Sequence, residues 1–216
     1  MSKPRALIYG RMEVPAAIEA EFNAWYNAEH MGWRLERVPG ILAGRRYRAL
    51  KGSPKYAALY DLANVDVLKS EPYLAIGAEE RTNPTPEYQK IRPQFQSFAR
   101  TLYEEITRTP TDYRPPAEGR ALLAAMLVPR AEDEDEFNDW YDTEHAPAIR
   151  SVAGVLSGRR FRAVEGEPKY LALYDLISSD VLESKEYAIK RHSPWADRIR
   201  SRLQSRIHFV YERIFP

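Results

Sequence analysis

The chain has no cysteine among its 216 residues and almost no net charge. The missing thiol excludes disulfides, thiolate metal sites, iron–sulfur clusters and a cysteine nucleophile. Its 32 lysines and arginines oppose 31 acidic residues, for a formal charge of +1 at pH 7. A polyanion-binding protein carries a basic surplus, so we expect neither nucleic acid nor an anionic membrane as a partner.

Long apolar runs and several well-known motifs are also missing. No stretch approaches the roughly eighteen apolar residues of a membrane span, and the N-terminus has no signal-peptide core. We therefore expect a soluble, cytoplasmic protein. A glycine-rich phosphate loop, a Walker lysine and a G-x-S-x-G elbow are absent. The four histidines include no closely spaced pair, so the sequence predicts no metal site and no cofactor.

The organising feature of the sequence is an internal repeat. FNAWYNAEH at 22–30 returns as FNDWYDTEH at 137–145. GRRYRALKGSPKYAALYDL at 44–62 matches GRRFRAVEGEPKYLALYDL at 158–176 with 14 of 19 positions identical. We interpret the chain as a tandem duplication with a first repeat at 1–108, a proline-containing linker at 109–118 and a second repeat at 119–216. Around GAEERTNPTPEYQ the first repeat is six residues longer.

Within each repeat the patterns follow the order βαββαβ. The apolar run at 121–128 is short enough for a buried strand, and the acidic segment 131–137 favours a helix N-terminus. GVLSGRRFRAVEG and PKYLALYDLIS are typical of a hairpin. A short helical stretch at 179–190, a second one after Ser193 and a strand near 206–214 complete the repeat.

This order predicts the α+β class with two ferredoxin-like repeats. In ALLAAMLV and KYLALYDL both faces of the strand carry apolar side chains, so both faces of each sheet must be covered. The simplest arrangement places the helix-free faces of the two repeats together as an intramolecular, pseudo-dimeric barrel of eight strands. Such a barrel is either filled by side chains or holds one small ligand.

The repeated motif supplies the candidate catalytic residues. His145 follows Tyr141 by four positions, so both lie on one helix face, and His30 follows Tyr26 in the same way. Asp142, three residues before His145, could orient the imidazole for general acid–base chemistry. The first repeat has Asn27 in its place. Pro147 and Gly32 follow the histidines by two residues, so we expect the helix to kink or fray there.

The candidate substrate-binding residues are aromatic side chains and arginines. Stripes of aromatic residues at helical spacing usually pack in the core, and buried arginines usually form ion pairs, so each candidate has a structural alternative. Strand alternation sends one arginine of each pair inward, with Asp61 and Asp175 as expected partners. The candidate residues are Trp140, Tyr141, Tyr26, Arg46, Arg159, Arg160, Tyr170 and Tyr174.

The segment WYDTEHAPAIRSVAGVLSGRRFR, 140–162, resembles the signature of EthD-like members of the dimeric α+β barrel superfamily. In that signature W-Y-x-x-E-H-x-P precedes V-P-G and an arginine-bearing strand. The resemblance places the family histidine at His145 and His30. The superfamily includes polyketide cyclases, cofactor-free monooxygenases, muconolactone isomerases and haem enzymes. The first repeat lacks the proline after its histidine, and the second has Ala153 in place of the proline of V-P-G. If one repeat has lost activity, the resemblance implies that it is the first.

The leading hypothesis is a cofactor-free small-molecule enzyme, an isomerase, cyclase, lyase or monooxygenase, that acts on an aromatic, polyketide-like or lactone-type substrate. His145 would transfer the proton, Asp142 would orient it, and Arg159 or Arg160 would stabilise negative charge. The alternatives are a non-catalytic small-molecule binding or stress-related barrel, and an interaction protein with a solid core. Pairing of two chains into a homodimer is left open.

Overall fold

The computed structural model describes residues 3–107, 109–110 and 112–216. These residues form two compact units. The first contains the residues up to Glu105 together with Ile214–Pro216, and the second is Ile106–Arg213. Helices and antiparallel strands alternate in both, so the expected α+β class is confirmed. None of the helices in the described ranges is both long enough and apolar enough to cross a membrane.

The first unit is a four-stranded antiparallel sheet with helices on one face. Strand β1 pairs with β3 and β4, and β2 pairs with β3, which gives the order β4-β1-β3-β2. The strands are β1 Ala6–Glu13, β2 Ile41–Ala49, β3 Tyr56–Leu62 and β4 Ser97–Glu105. The α-helices are α1 Glu19–Trp25, α2 Gly32–Arg37, α3 Glu71–Thr82 and α4 Pro86–Ile91.

The second unit has the corresponding elements. Its strand order is β8-β5-β7-β6, again antiparallel throughout. The strands are β5 Ala121–Pro129, β6 Val155–Glu165, β7 Tyr170–Leu176 and β8 Leu203–Phe215. The helices are α5 Glu134–Trp140, α6 Ala146–Arg150, α7 Lys185–Lys190 and α8 Pro194–Ser201. In both units this is the sheet order of a ferredoxin-like βαββαβ fold.

The aromatic stripes of the repeated motif form the helix side of each core. Phe22, Trp25 and Tyr26 are buried in the first unit, as are Phe137 and Trp140 in the second. Fully burying one such side chain contributes about 1.5–3 kcal/mol. Every residue of β3 and of β7 is buried as well, so both faces of these strands are covered, as the apolar sequences predict.

The histidines of the motif lie in π-helical turns inside continuous helical segments. The turn Tyr26–Met31 joins α1 to α2, and Tyr141–His145 joins α5 to α6. The helix is therefore irregular at each histidine, as the nearby Gly32 and Pro147 predict, but it does not fray, because α2 and α6 continue beyond the π-helical turns. Local π-helical turns are frequent at functional sites.

The six extra residues of the first unit lengthen one helix. The side chain of Thr85 caps α4 by accepting a hydrogen bond from the N–H of Tyr88, and Ser193 caps α8 in the same way. These caps establish that α4 corresponds to α8. The helix before each cap differs, because α3 has 12 residues and α7 has 6. The extra residues therefore extend the C-terminal half of α3.

Candidate functional site

A cavity of about 200 Å³ lies in the first unit beside the π-helical turn. Both the sheet and the helices contribute side chains to its wall. Most of these side chains are aromatic or cationic, and one is a carboxylate. The lining residues include Ile8, Gly10, Trp25, Tyr26, His30, Arg34, Tyr60, Tyr73, Glu80, Tyr88, Arg92, Phe95, Phe98 and Arg100.

His30 on this wall is held by a carboxylate from the extended helix α3. Its Nδ1 lies 3.1 Å from Oε1 of Glu80, whose Oε2 accepts a hydrogen bond from Arg34 Nη2 at 2.8 Å. Arg34 Nη1 lies 3.2 Å from the same Nδ1, but it donates to the His30 carbonyl oxygen at 2.7 Å. Because Arg34 has that better acceptor, we assign the Nδ1 proton to the contact with Glu80.

This assignment determines what His30 can do chemically. No hydrogen bond among the described residues uses Nε2 of His30, so this nitrogen remains available to a molecule in the cavity. A histidine whose Nδ1–H is held by a carboxylate keeps one tautomer and presents Nε2 as a proton acceptor. Arg34 is itself buried, so its ion pair with Glu80 also satisfies a buried cation.

The electrostatic environment keeps His30 neutral near pH 7. Burial away from water and the neighbouring Arg34 guanidinium lower the pKa of His30 to about 4, although the hydrogen bond to Glu80 raises it. Burial alone would raise the pKa of Glu80, but hydrogen bonds from His30 and Arg34 bring it down to about 2. At neutral pH the pair is therefore a neutral imidazole and an ionised carboxylate.

Aromatic rings fix the position of His30. Its ring centroid lies 4.6 Å from that of Tyr26 and 5.2 Å from that of Trp25. The indole N–H of Trp25 donates to Glu29 Oε1 at 2.8 Å, and the hydroxyl of Thr85 donates to the same oxygen at 2.7 Å. Glu29 therefore ties the histidine-bearing segment to the start of α4, a structural role.

A guanidinium stands near the cavity on an aromatic platform. The Cζ atom of Arg92 lies 4.7 Å from the ring centroid of Phe95 and 5.0 Å from that of Phe98. Cation–π contacts of this kind hold an arginine in place without neutralising it. Arg92 is thereby positioned to attract an anionic group of a ligand.

The corresponding cavity in the second unit is much smaller, about 30 Å³. His145 lines it and stacks on Trp140 with ring centroids 4.5 Å apart. Burial and the positive charges of Arg200, His208 and Arg191 lower the pKa of His145 to about 3. No hydrogen bond or ion pair joins His145 to a carboxylate in the described part of the chain.

The structure corrects the expected contact between Asp142 and His145. Asp142 Oδ1 instead accepts a hydrogen bond from Arg160 Nη1 at 2.5 Å. The first unit repeats this arrangement, with Asn27 Oδ1 accepting from Arg46 Nη1 at 2.6 Å. The side chain three residues before the histidine thus accepts a hydrogen bond from the positively charged arginine of the neighbouring strand. It is a carboxylate in the second unit and an amide in the first.

Both arginines of each pair are buried, one on each face of the sheet. Arg46 lies on the helix side, with its Cζ 4.5 Å from the Tyr26 ring centroid, and Arg160 lies 4.3 Å from that of Tyr141. Neither arginine lines the cavity of its own histidine. Arg160 lines a separate, open depression with Asp142, of about 360 Å³.

Arg45 and Arg159 occupy the opposite face. Arg45 Nη2 lies 3.1 Å from Asp61 Oδ2, which is the ion pair that strand alternation predicts. Arg159 lies over the Tyr113 ring at 4.7 Å from its centroid, and the hydroxyl of Ser157 donates to Asp175 at 2.6 Å. Arg159 does not line either histidine cavity.

The tyrosines of the third strand of each unit divide between two roles. Tyr60 and Tyr174 line the two histidine cavities, together with Tyr26 and Tyr141. Tyr170 does not line them, because its hydroxyl donates to Glu134 Oε1 at 2.5 Å near the start of α5. Of the two tyrosines on the third strand of each unit, one therefore lines the histidine cavity. It is Tyr60 in the first unit and Tyr174 in the second.

Glu80 is the candidate site residue that sequence reasoning missed. It lies in the six-residue extension that distinguishes the first repeat, within GAEERTNPTPEYQ. The length difference and the carboxylates within it are visible in the sequence. Glutamates in a segment that only one repeat possesses were the sequence feature that could have pointed to Glu80.

Structural comparison shows which fold the chain shares. A protein from Fusobacterium nucleatum with a proposed monooxygenase activity aligns over 99% of this chain and 94% of its own, with a TM-score of 0.64 and 10% identity. An anthrone oxidase-like protein aligns over 98% and 92%, with a TM-score of 0.65 and 11% identity. The chain shares their fold.

A haem-binding protein from Thermus thermophilus aligns over 98% of this chain and 92% of its own, with a TM-score of 0.61 and 12% identity. At such low identity these likenesses establish the fold alone. No protein-family model matches the sequence, and no curated protein sequence matches it either.

Proposed function

We propose that the chain is a small-molecule enzyme that moves a proton at the cavity of the first unit, with His30 as the acceptor. The observation that carries this proposal is the contact of Glu80 with Nδ1 of His30 at the wall of a cavity of about 200 Å³. It leaves Nε2 for the substrate and supplies a carboxylate to stabilise the imidazolium that forms.

The proton that His30 removes comes from an acidic C–H or O–H of the substrate. With a pKa of about 4, the imidazole is a weak base, so the proposal is confined to acidic donors such as enols, phenols and carbon acids between two carbonyl groups, and transfer from them requires a cation that stabilises the resulting anion. Removal of that proton creates an enolate or phenolate. Arg92 stabilises the negative charge, and the enolate can then isomerise, cyclise or eliminate.

The size and lining of the cavity support a substrate with one aromatic or lactone ring. An engineered cavity of about 150 Å³ holds benzene. A cavity of about 200 Å³ therefore has room for one ring with small substituents. Trp25, Tyr26 and Tyr88 present flat faces and edges to such a ring.

Haem does not fit this cavity as it stands. Large ligands occupy pockets of about 300–1,000 Å³, above the volume present here. The Nδ1 contact of His30 with Glu80 would suit an iron ligand, but the rings of Trp25 and Tyr26 lie close to the imidazole. No step of the proposed reaction therefore passes through haem.

The proposal therefore assigns the proton transfer to His30, whereas the sequence had favoured His145. His145 has a cavity of about 30 Å³ and cationic neighbours, which disfavour a positive imidazolium. For the same reason the proposal gives no catalytic or substrate-binding role to the other candidates of the second unit. These are Asp142, Trp140, Tyr141, Arg159, Arg160, Tyr170 and Tyr174. Tyr26 remains a substrate-contact residue.

A second candidate is non-catalytic binding of the same class of molecule. The lowered pKa of His30 favours it, because a histidine that stays neutral to about pH 4 also serves as a plain hydrogen-bond acceptor. In that case the cavity binds a phenol or enol without exchanging its carbon-bound protons.

We also propose that the two sheets close into one eight-stranded, pseudo-dimeric barrel. The apolar sequences of both faces of the strands support this arrangement, and so does the resemblance to the superfamily. A single compact body of this length has a radius of gyration of about 17 Å. Small-angle scattering that gives a much larger value for the monomer would contradict closure.

The test compares wild type, His30→Asn and His145→Asn. Each variant is incubated with a panel of one-ring phenols, lactones and 1,3-dicarbonyl compounds in deuterated water, and solvent deuterium in the recovered compound is measured. We expect exchange above the uncatalysed rate in wild type and His145→Asn, and at least a 100-fold loss in His30→Asn. Binding without exchange would support the second candidate, and equal exchange in all three proteins would refute the role of His30.

A further inference from the structure

The small cavity of the second unit is lined by apolar and aromatic side chains together with five basic ones. The basic residues come from the π-helical turn, from the end of α7, from α8 and from β8. They are Arg191, Arg200, Arg206, His145 and His208. Its volume of about 30 Å³ holds roughly two water molecules, since one water needs about 10–15 Å³. Several nitrogen donors thus meet around a space of atomic dimensions.

These cations have little carboxylate compensation. Arg200 Nη1 lies 3.7 Å from Asp197 Oδ1, and the Asp197 side chain is 68% exposed. Arg191 lies over the Tyr187 ring at 5.6 Å from its centroid. In the described ranges, neither Arg191 nor Arg206 forms an ion pair. The positive charge of Arg191 and Arg200 is therefore largely unneutralised, whereas solvent screens the exposed Asp197 and Arg206.

The two histidines report the same field. Burial and the positive charge of Arg200 lower the pKa of His145 to about 3, and partial desolvation and Arg206 lower that of His208 to about 4, although His208 is solvent-exposed. No carboxylate contributes to either shift. The arginines around the cavity produce this positive electrostatic potential, and it favours the binding of an anion.

The first unit differs at the corresponding positions. When the repeats are aligned without gaps from VDVLKSEPY, Arg191 corresponds to Gly77, and the caps of the following helices align Arg200 with Arg92. Glu80 belongs to the extension and has no counterpart in the second unit. Both cavities are thus lined by three arginines, and among the lining residues only the first cavity also contains a carboxylate.

We propose that the cavity of the second unit is a binding site for a compact monoanion of the size of chloride or formate. The guanidinium of Arg200 and the imidazole of His145 face the anion, and Arg191 and Arg206 supply further positive charge. Tetrahedral dianions such as sulfate are larger than either of these monoanions. The site operates independently of any reaction at His30.

The experiment follows the imidazole C–H signals of His145 and His208 by NMR. Chloride or formate is added to protein in sodium gluconate at constant ionic strength, with sulfate as the size control. We expect saturable shifts with chloride, formate or both, and none with sulfate. Saturation by chloride identifies a halide site, and saturation by formate alone identifies a carboxylate site.

Variants decide whether the cluster is responsible. Arg191→Gln is expected to lower the affinity of the protein for the anion at least tenfold. Arg198→Gln is the matched control, because Arg198 lies on α8 but pairs with Glu136, so its affinity should match wild type. Arg200→Gln also removes a hydrogen bond to the Arg191 carbonyl oxygen, so Arg191→Gln carries the test. Absence of saturation in wild type, or equal affinity in Arg191→Gln, overturns the proposal.

Discussion

Glu80 Oε1 lies 3.1 Å from Nδ1 of His30, although the two residues are fifty positions apart in the chain. The other oxygen of the carboxylate binds Arg34. One side chain from the extended helix α3 thus orients the histidine and neutralises a buried arginine. In the described part of the second unit, His145 has no such carboxylate partner.

Glu80→Gln should lower the pKa of His30 still further, because the carboxylate raises that pKa by hydrogen bonding and by its charge. It should also lower the free energy of unfolding by about 3 kcal/mol, since Arg34 loses its buried anionic partner. NMR titration of the imidazole and urea unfolding measure the two effects.

The matched control for this variant is Glu79→Gln. Glu79 is the preceding residue of α3, and it pairs with Arg37 where both side chains are about 40% exposed. Such a pair contributes about 0–1 kcal/mol. If Glu79→Gln shifted the pKa of His30 as much as Glu80→Gln, the effect would belong to the helix rather than to the contact.

The free energy of unfolding should fall as the pH is lowered from 6.5 toward 4. The folded-state pKa of His30, about 4, lies below its ordinary value of 6.5, so the unfolded chain binds more protons in this window. The loss from this histidine is at most about 3 kcal/mol. Urea unfolding at several pH values should show a flatter dependence in His30→Asn. Identical slopes for the two proteins would show that His30 titrates normally.

Below pH 4.5 the lowered pKa of Glu80 adds a further loss. This carboxylate is ionised in the folded protein down to about pH 2, whereas in the unfolded chain it takes up a proton near 4.5. Stability from this group is present above pH 4.5 and disappears as the pH falls toward 2. Glu80→Gln should remove this second part of the dependence.

Asp142→Asn should change little, because its carboxylate contacts Arg160 rather than His145 and is 66% exposed. The first unit already has Asn27 in the equivalent contact with Arg46. We expect the free energy of unfolding to change by less than about 1 kcal/mol. NMR should find the pKa of His145 unchanged, and a clear shift would restore the pair that the sequence suggested.

Gly10 offers a way to fill the first cavity without altering His30. A Cβ added there meets Met12 Cε at 3.5 Å and the Ala58 carbonyl oxygen at 3.7 Å, which are ordinary contacts. Ala125 occupies the aligned position in the second unit. Gly10→Ala should raise the free energy of unfolding by about 0.5 kcal/mol.

Gly10→Leu should place its side chain in the cavity and weaken binding of a one-ring ligand at least tenfold. Calorimetric titration measures the affinity, and thermal unfolding checks the fold. Gly77→Ala is the control, because Gly77 lies in α3 and does not line the cavity. Undiminished affinity in Gly10→Leu would place the ligand elsewhere.

The sequence by itself determined the order of the elements and the helical face that carries each histidine. Apolar runs, acidic first turns and the spacing of Phe137, Trp140 and Tyr141 are properties of neighbouring residues, and local periodicity expresses them directly. The ion pair of Arg45 with Asp61 was predictable for a similar reason, because the hairpin makes these two residues diagonal neighbours on adjacent strands.

Only the tertiary structure decided which partner each histidine has and how much space lies beside it. Glu80 reaches His30 because α3 is extended and packs next to the π-helical turn, a contact between segments distant in the chain. Asp142 is close to His145 in sequence, yet Arg160 from the neighbouring strand offers its carboxylate a buried opposite charge. Distance in space and competition among partners depend on packing, and the order of residues along the chain does not express them.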